Sequence, residues 1–205
     1  PEAYNNLGLA LTEQGRYEEA VEALRHAIGL KPNYPEAYNN LGMALTEQGH
    51  SEEAVEALGQ AIRFKPNYPE AYNNLGLVYQ GLKRDEDAFR EYQRAVELDP
   101  QFPDVRINLG VLYEKRGQNA EALQEFELAL SLDPSKVEVH NNLGNLYLKE
   151  GKYPLALAEY RKVLASDPYN FVARTNLGAL WLKTGQPLRA IEEYQAVLSQ
   201  DPANL

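Results

Sequence analysis

Residues 1–34, PEAYNNLGLALTEQGRYEEAVEALRHAIGLKPNY, are followed at once by residues 35–68, PEAYNNLGMALTEQGHSEEAVEALGQAIRFKPNY, and the two stretches agree at 27 of 34 positions. A fixed period of this length marks a chain built from one supersecondary unit repeated side by side. Four further copies begin at Pro69, Pro103, Val137 and Phe171, giving units 1–34, 35–68, 69–102, 103–136, 137–170 and 171–204. Six units leave only Leu205 of the 205 residues, so the expectation is a single array with no separate domain.

Each unit carries two helical patterns. In the first copy Tyr4, Leu7 and Leu11 recur at helical spacing until Gly15, and Ala20, Leu24, Ala27 and Ile28 recur until Pro32. The unit is therefore a helical hairpin and the class all-α. Gly8, Gly42, Gly76, Gly110, Gly144 and Gly178 fall inside first helices, where each costs about 1 kcal/mol of helix propensity. That cost implies a close approach of two helices, and Ala20, Ala54, Ala88, Ala122, Ala156 and Ala190 imply the same from the second helix. Pro32, Pro66, Pro100, Pro134, Pro168 and Pro202 stop the second helices, whereas Pro154 and Pro187 stand at second-helix starts, where proline is tolerated.

Composition removes several functions. The chain has 20 Lys and Arg against 30 Asp and Glu, a net charge of -10 and no Cys. Disulfides, thiolate metal sites and cysteine nucleophiles are thereby excluded. An acidic chain with no basic block is a poor partner for nucleic acid, and no apolar run approaches the ~18 residues that cross a bilayer. The expected location is cytoplasmic, and the opening Pro-Glu-Ala-Tyr, which lacks Met, reads as part of a longer chain. No catalytic constellation stands out: His26, His50 and His140 lie in different repeats without partners at metal-ligand spacing, and no phosphate loop or nucleophile motif occurs. No enzyme activity, metal or cofactor is expected.

These residues resemble the tetratricopeptide repeat family. Leu7-Gly8, Ala20 and Pro32 recur in all six copies; Tyr4, Tyr38 and Tyr72 supply a first aromatic, Tyr79, Tyr113, Tyr147 and Trp181 a second, and Tyr92, Phe126, Tyr160 and Tyr194 a third. Departures are Arg106, His140 and Arg174 in place of the first aromatic and Lys83 in place of the inter-helix Gly, all expected to loosen packing without changing the fold. The resemblance implies an α-solenoid, a right-handed superhelix whose first helices line a concave groove.

At about 100° per residue, positions 4, 7 and 11 of a unit share one stripe and positions 2, 5, 6, 9, 12 and 13 share an arc of roughly 120° opposite it. That arc is the expected groove, and three rows run along it. Asparagine fills position 6 throughout, as Asn6, Asn40, Asn74, Asn108, Asn142 and Asn176, backed at position 5 by Asn5, Asn39, Asn73 and Asn141. A carboxamide both donates and accepts, so such a ladder is suited to the backbone of an extended peptide. First helices roughly 10 Å apart match about three residues of extended chain at about 3.3 Å each. Position 9 supplies an apolar row, Leu9, Met43, Leu77 and Val111, continued by Asn145 and Ala179. Position 13 is acidic early, Glu13 and Glu47, and basic late, Lys115, Lys149 and Lys183, with Glu2, Glu36 and Glu70 adding acid at position 2. This gradient would orient a charged ligand.

The expected function is a scaffold that takes an extended peptide of a protein partner in the groove. Arrays of the family that clamp a terminal carboxylate place Lys at position 5 and Arg at position 6, and neither occurs here, so amidation of a ligand should not matter. Two alternatives stay open. The phrase from Leu30 to Gly42 is similar to the repeats of the O-linked N-acetylglucosamine transferase, which implies a substrate-selecting arm of a glycosyltransferase. An array ending at Asp201-Pro202 without a polar cap implies end-to-end self-association.

Overall fold

The computed structural model describes residues 1–199. Pro202 and the end of the sixth repeat at Asp201, on which the expectation of end-to-end association rests, lie outside the described residues. Twelve helices and no strand occur among the described residues: α1 Glu2–Glu13, α2 Tyr17–Leu30, α3 Pro35–Glu47, α4 Ser51–Phe64, α5 Pro69–Gly81, α6 Asp85–Leu98, α7 Pro103–Lys115, α8 Asn119–Leu132, α9 Val137–Lys149, α10 Tyr153–Ser166, α11 Phe171–Lys183 and α12 Pro187–Leu198. Odd helices are the first and even helices the second members of the repeat hairpins. The chain groups into two compact units, Pro1–Val105 and the part from Arg106 onward, the division falling within α7.

In the N-terminal unit α1 packs on α2, α3 on α4 and α5 on α6, while α2 meets α3 and α4 meets α5. First helices also meet side by side, α1 with α3 and α3 with α5. This is the stacking of an α-solenoid, and burial follows it. Leu41 and Leu75, each covered by the second helix of the preceding repeat, are 7 % and 6 % exposed, whereas Leu7, at the same position of the first repeat, is 49 % exposed. The connections are plugged as well. Tyr34 and Tyr68 are buried between Ala27 and Ala37, and between Ala61 and Ala71. Lys31 and Lys65 cap the two rings at 4.2 and 4.0 Å from their centroids.

The C-terminal unit repeats this scheme, with α9 on α10, α11 on α12, α8 against α9 and α10 against α11, and with α9 beside α11. Its connection uses different chemistry: Asn170 caps α11 by accepting from the Ala173 N–H at 3.0 Å.

The close approach inferred from glycine is present. A methyl group on Gly42 would stand 2.5 Å from Leu58 Cγ, one on Gly76 2.4 Å from Tyr92 Cε1, and one on Gly144 2.4 Å from Tyr160 Cε1. The alanines Ala20, Ala54, Ala88, Ala122, Ala156 and Ala190 are fully buried. Between the helices of five hairpins a glycine holds a left-handed φ of 73° to 80°; Lys83 holds 59° at the same place without glycine's freedom.

The departures from the aromatic pattern do not loosen the hairpins. Arg106 Nη1 meets Glu125 Oε2 at 2.8 Å, His140 Nδ1 meets Glu159 Oε2 at 2.7 Å, and Arg174 Nη1 meets Glu193 Oε2 at 2.8 Å. All six side chains are less than a quarter exposed. In the first two repeats the corresponding pairs are Tyr4 with Ala23 and Tyr38 with Ala57. An aromatic over alanine has thus been exchanged for a polar clamp over glutamate.

Candidate functional site

The two edges of the groove arc face different neighbours, and this corrects the reading of position 5. Position 5 lies at the edge turned toward the following first helix, and position 6 at the edge turned toward the preceding one. Asn5, Asn39 and Asn73 are accordingly buried, at 7 %, 5 % and 8 % exposure. Asn40 Nδ2 donates to Asn5 Oδ1 at 2.9 Å, and Asn74 Nδ2 donates to Asn39 Oδ1 at 2.9 Å. The ladder therefore begins as an interlock between repeats. Asn39 Nδ2 turns to Met43 Sδ at 3.9 Å, and Asn5 Nδ2 to Asn6 Oδ1 at 3.4 Å.

The interlock fixes what the position-6 row can offer. Each bond uses one of the two Nδ2 hydrogens of Asn40 and Asn74, and their Oδ1 atoms remain as acceptors. In the N-terminal unit the expected donor-and-acceptor ladder spends one donor of each of these carboxamides on the neighbouring repeat.

Leu9, Met43 and Leu77 form an apolar row on this face, 39 %, 38 % and 43 % exposed. With Thr12, Glu13, Tyr17, Thr46, Glu47 and Asn74 they line an open cavity of 310 Å³. Neither threonine brings polarity to it, because Thr12 donates to the Gly8 carbonyl at 2.9 Å and Thr46 to the Gly42 carbonyl at 2.7 Å. Each hydroxyl donates within its own helix. Thr12 and Thr46 lie within the arc by spacing, but their type alone carries no signal of an apolar wall; Tyr17, on the second helix, is outside the first-helix pattern altogether.

The C-terminal unit treats the same positions differently. Val111 is half-buried against the core containing Ile107, Phe126 and Leu143. Asn145 accepts from the Tyr160 hydroxyl at 2.8 Å, and burial pushes that phenol well above the ordinary tyrosine range. Asn145 is thus the far-end anchor of a core tyrosine. Asn108 and Asn142 are half-buried, and Asn141 Oδ1 and Asn176 Nδ2 are buried atoms without a hydrogen-bond partner. Lys149 leans on its neighbour, 3.4 Å from the Glu114 carbonyl and 3.9 Å from its carboxylate. Lys115 and Lys183 are exposed. The position-9 row is therefore an exposed apolar surface in the N-terminal unit, whereas Val111 and Asn145 are drawn into packing in the C-terminal one; Asn40, Asn74, Asn108 and Asn142 are half-buried alike.

The histidines sit apart from this face. His26 stacks on Tyr4 at 5.3 Å between centroids, His50 lies 3.7 Å from Glu53, and His140 is the partner of Glu159. Among the described residues no group of three or more His, Asp and Glu could hold a metal, and no helix is long and apolar enough to cross a membrane.

Models of the TPR repeat match residues 8–49, 42–83, 82–117 and 115–151, and a tetratricopeptide repeat model matches 141–204. No curated protein matches the sequence. Solved structures that resemble it include one described as a functional characterization of Pseudomonas aeruginosa pilF, 23 % identical, with a TM-score of 0.86 over 98 % of this chain and 92 % of that one. A thermophilic TPR protein of Thermus thermophilus is 26 % identical, with a TM-score of 0.72 over 88 % of this chain and 98 % of that one. YrrB, described as a TPR protein with an unusual peptide-binding site, is 22 % identical, with a TM-score of 0.68 over 89 % and 94 %.

Proposed function

The chain belongs to the tetratricopeptide repeat family, and on that premise we propose that it is a protein-interaction scaffold whose N-terminal unit binds an extended peptide segment of a partner. The observation that carries this reading is the pairing of Asn40 to Asn5 and Asn74 to Asn39, which leaves a row of carboxamide oxygens beside exposed Leu9, Met43 and Leu77. Those oxygens accept backbone N–H groups of the ligand, about one in three, because first helices about 10 Å apart span about three extended residues. Backbone capture gives affinity with little sequence preference, and the apolar row and the acids at positions 2 and 13 add selection. The description of YrrB as a protein with a peptide-binding site is consistent with this use of the fold.

The test is a peptide-display selection on the parent protein, on Asn74→Ala and on Asn39→Ala. Both variants break the same interlock, but only the first removes a groove oxygen. Enrichment of extended peptides by the parent and by Asn39→Ala, with loss in Asn74→Ala, supports the reading. Equal enrichment by all three, or none by the parent, overturns it.

A further inference from the structure

The cavity beside the N-terminal ladder has a feature that backbone capture does not use. Its wall is apolar, formed by Leu9, Met43, Leu77 and the two back-bonded threonines, and its rim carries Glu13 and Glu47. Of the other acids in the first two repeats, Glu19, Glu53 and Glu36 are paired with Arg16, Arg25 and Lys65. Among the described residues no cation is paired with Glu13 or Glu47, and both are exposed. Position 13 of the third repeat is Gly81, where nothing lies within 4 Å of an added methyl, so the rim is open on that side. At about 30 Å³ of liquid per water, a cavity of 310 Å³ has room for a large aliphatic side chain.

Building on the reading of this groove as a peptide site, we propose that the cavity anchors a large aliphatic side chain of the partner whose neighbouring residue is Lys or Arg, the cation lying between Glu13 and Glu47. The aliphatic group removes the exposed surfaces of Leu9, Met43 and Leu77 from water, and the cation neutralises two acids that have no partner of their own. An acidic neighbour would instead be held against two like charges, so the site discriminates by repulsion as well as by attraction. The partner segment is thus an aliphatic-basic motif within an extended stretch.

Acetylated and amidated nine-residue peptides carrying Leu-Arg, Leu-Glu or Ala-Arg at the centre of a Gly-Ser frame provide the probes. Their binding is followed by chemical-shift titration of the ¹⁵N-labelled protein, with Glu13→Gln/Glu47→Gln as the rim variant. Glu18→Gln/Glu52→Gln, two exposed acids of α2 and α4, is the control of equal net charge. The expected result is that Leu-Arg binds about fivefold to tenfold tighter than Leu-Glu, as two exposed ion pairs allow. Shifts should centre on Leu9, Met43 and Leu77, Ala-Arg should bind more weakly, and the preference for Arg should vanish in the rim variant but persist in the control. Equal affinity for Leu-Arg and Leu-Glu, an equal loss of preference in the control, or binding centred elsewhere in the groove overturns the cavity while leaving the groove reading in place. Absence of binding by all three peptides at millimolar concentration overturns both.

Discussion

Two glycine-to-alanine substitutions in adjacent repeats should change stability in opposite directions. Gly76 lies in α5 against Tyr92; an added methyl would stand 2.4, 2.7 and 2.9 Å from Tyr92 Cε1, Cδ1 and Cζ. Carbon atoms normally meet at about 3.5–4.0 Å, so α5 and α6 must part by about 1 Å or the ring must leave its seat. The ring has no room to leave. It is fully buried, and its hydroxyl donates to Gln80 Oε1 at 2.6 Å. Overpacking of this kind costs about 1–3 kcal/mol, and a rigid, tethered ring places it near the upper end. Alanine returns about 1 kcal/mol of helix propensity, leaving Gly76→Ala destabilised by about 1–2 kcal/mol. Gly59 lies within α4, is exposed and has nothing within 4 Å of the added methyl. There the propensity gain stands alone, and Gly59→Ala should stabilise by up to about 1 kcal/mol. Thermal unfolding followed by circular dichroism should separate the two variants by several degrees, since about 1 kcal/mol moves the midpoint of a chain this size by about 2–4 °C. Amide exchange in α5 and α6 localises the effect. Alanine substitutions that act in the same direction would refute the close-approach account of the repeat glycine.

Lys83→Gly removes a left-handed lysine, φ 59°, that stands where the other repeats have glycine; a gain of about 0.5–1 kcal/mol is expected after the unfolded-state entropy of glycine is allowed for, measured by urea unfolding. Arg106→Ala strands the partly buried Glu125 and should cost about 2–3 kcal/mol, whereas Arg106→Tyr with Glu125→Ala recreates the Tyr38 and Ala57 arrangement and should recover most of it. Burial holds the Glu91 carboxyl above its ordinary range. The folded state therefore binds that proton more tightly than the unfolded state, and its contribution, present below the unfolded pKa, is lost as pH rises through the folded one. Glu91→Gln should accordingly raise the melting temperature at pH 7 and leave it little changed below about pH 4, checked by melts across that range.

The architecture was legible because one period of 34 places every Leu-Gly, Ala and Pro in register, and because a helix reports its buried stripe through spacing alone. The site was legible only in part. Spacing puts Asn5 and Asn6 in one arc, but whether each faces solvent or a neighbouring first helix depends on how repeats stack. Asn5 is accordingly buried and accepts from Asn40, which is only half-buried. Asn145 is a similar case, since its use by Tyr160 depends on the depth at which that ring enters the hairpin. The polar clamps had a signal that comparison of the chain with itself carries: Arg106, His140 and Arg174 each stand 19 residues before a glutamate, at positions where the first two repeats have tyrosine and alanine. That pairing becomes visible when two columns of the repeat are read together.

The central claim is that groove carboxamide oxygens accept backbone N–H groups of an extended ligand. Scanning a selected ligand peptide with single backbone N-methyl groups, and measuring the affinity of each for the parent protein, tests it directly. A methyl on nitrogen removes one donor and leaves the side chains unchanged. The account predicts loss at positions spaced by about three residues, set by first-helix packing, with tolerance between them, and a flattened profile in Asn40→Ala/Asn74→Ala. Uniform tolerance along the peptide, or a profile that follows side-chain identity and is the same in that variant, would contradict it.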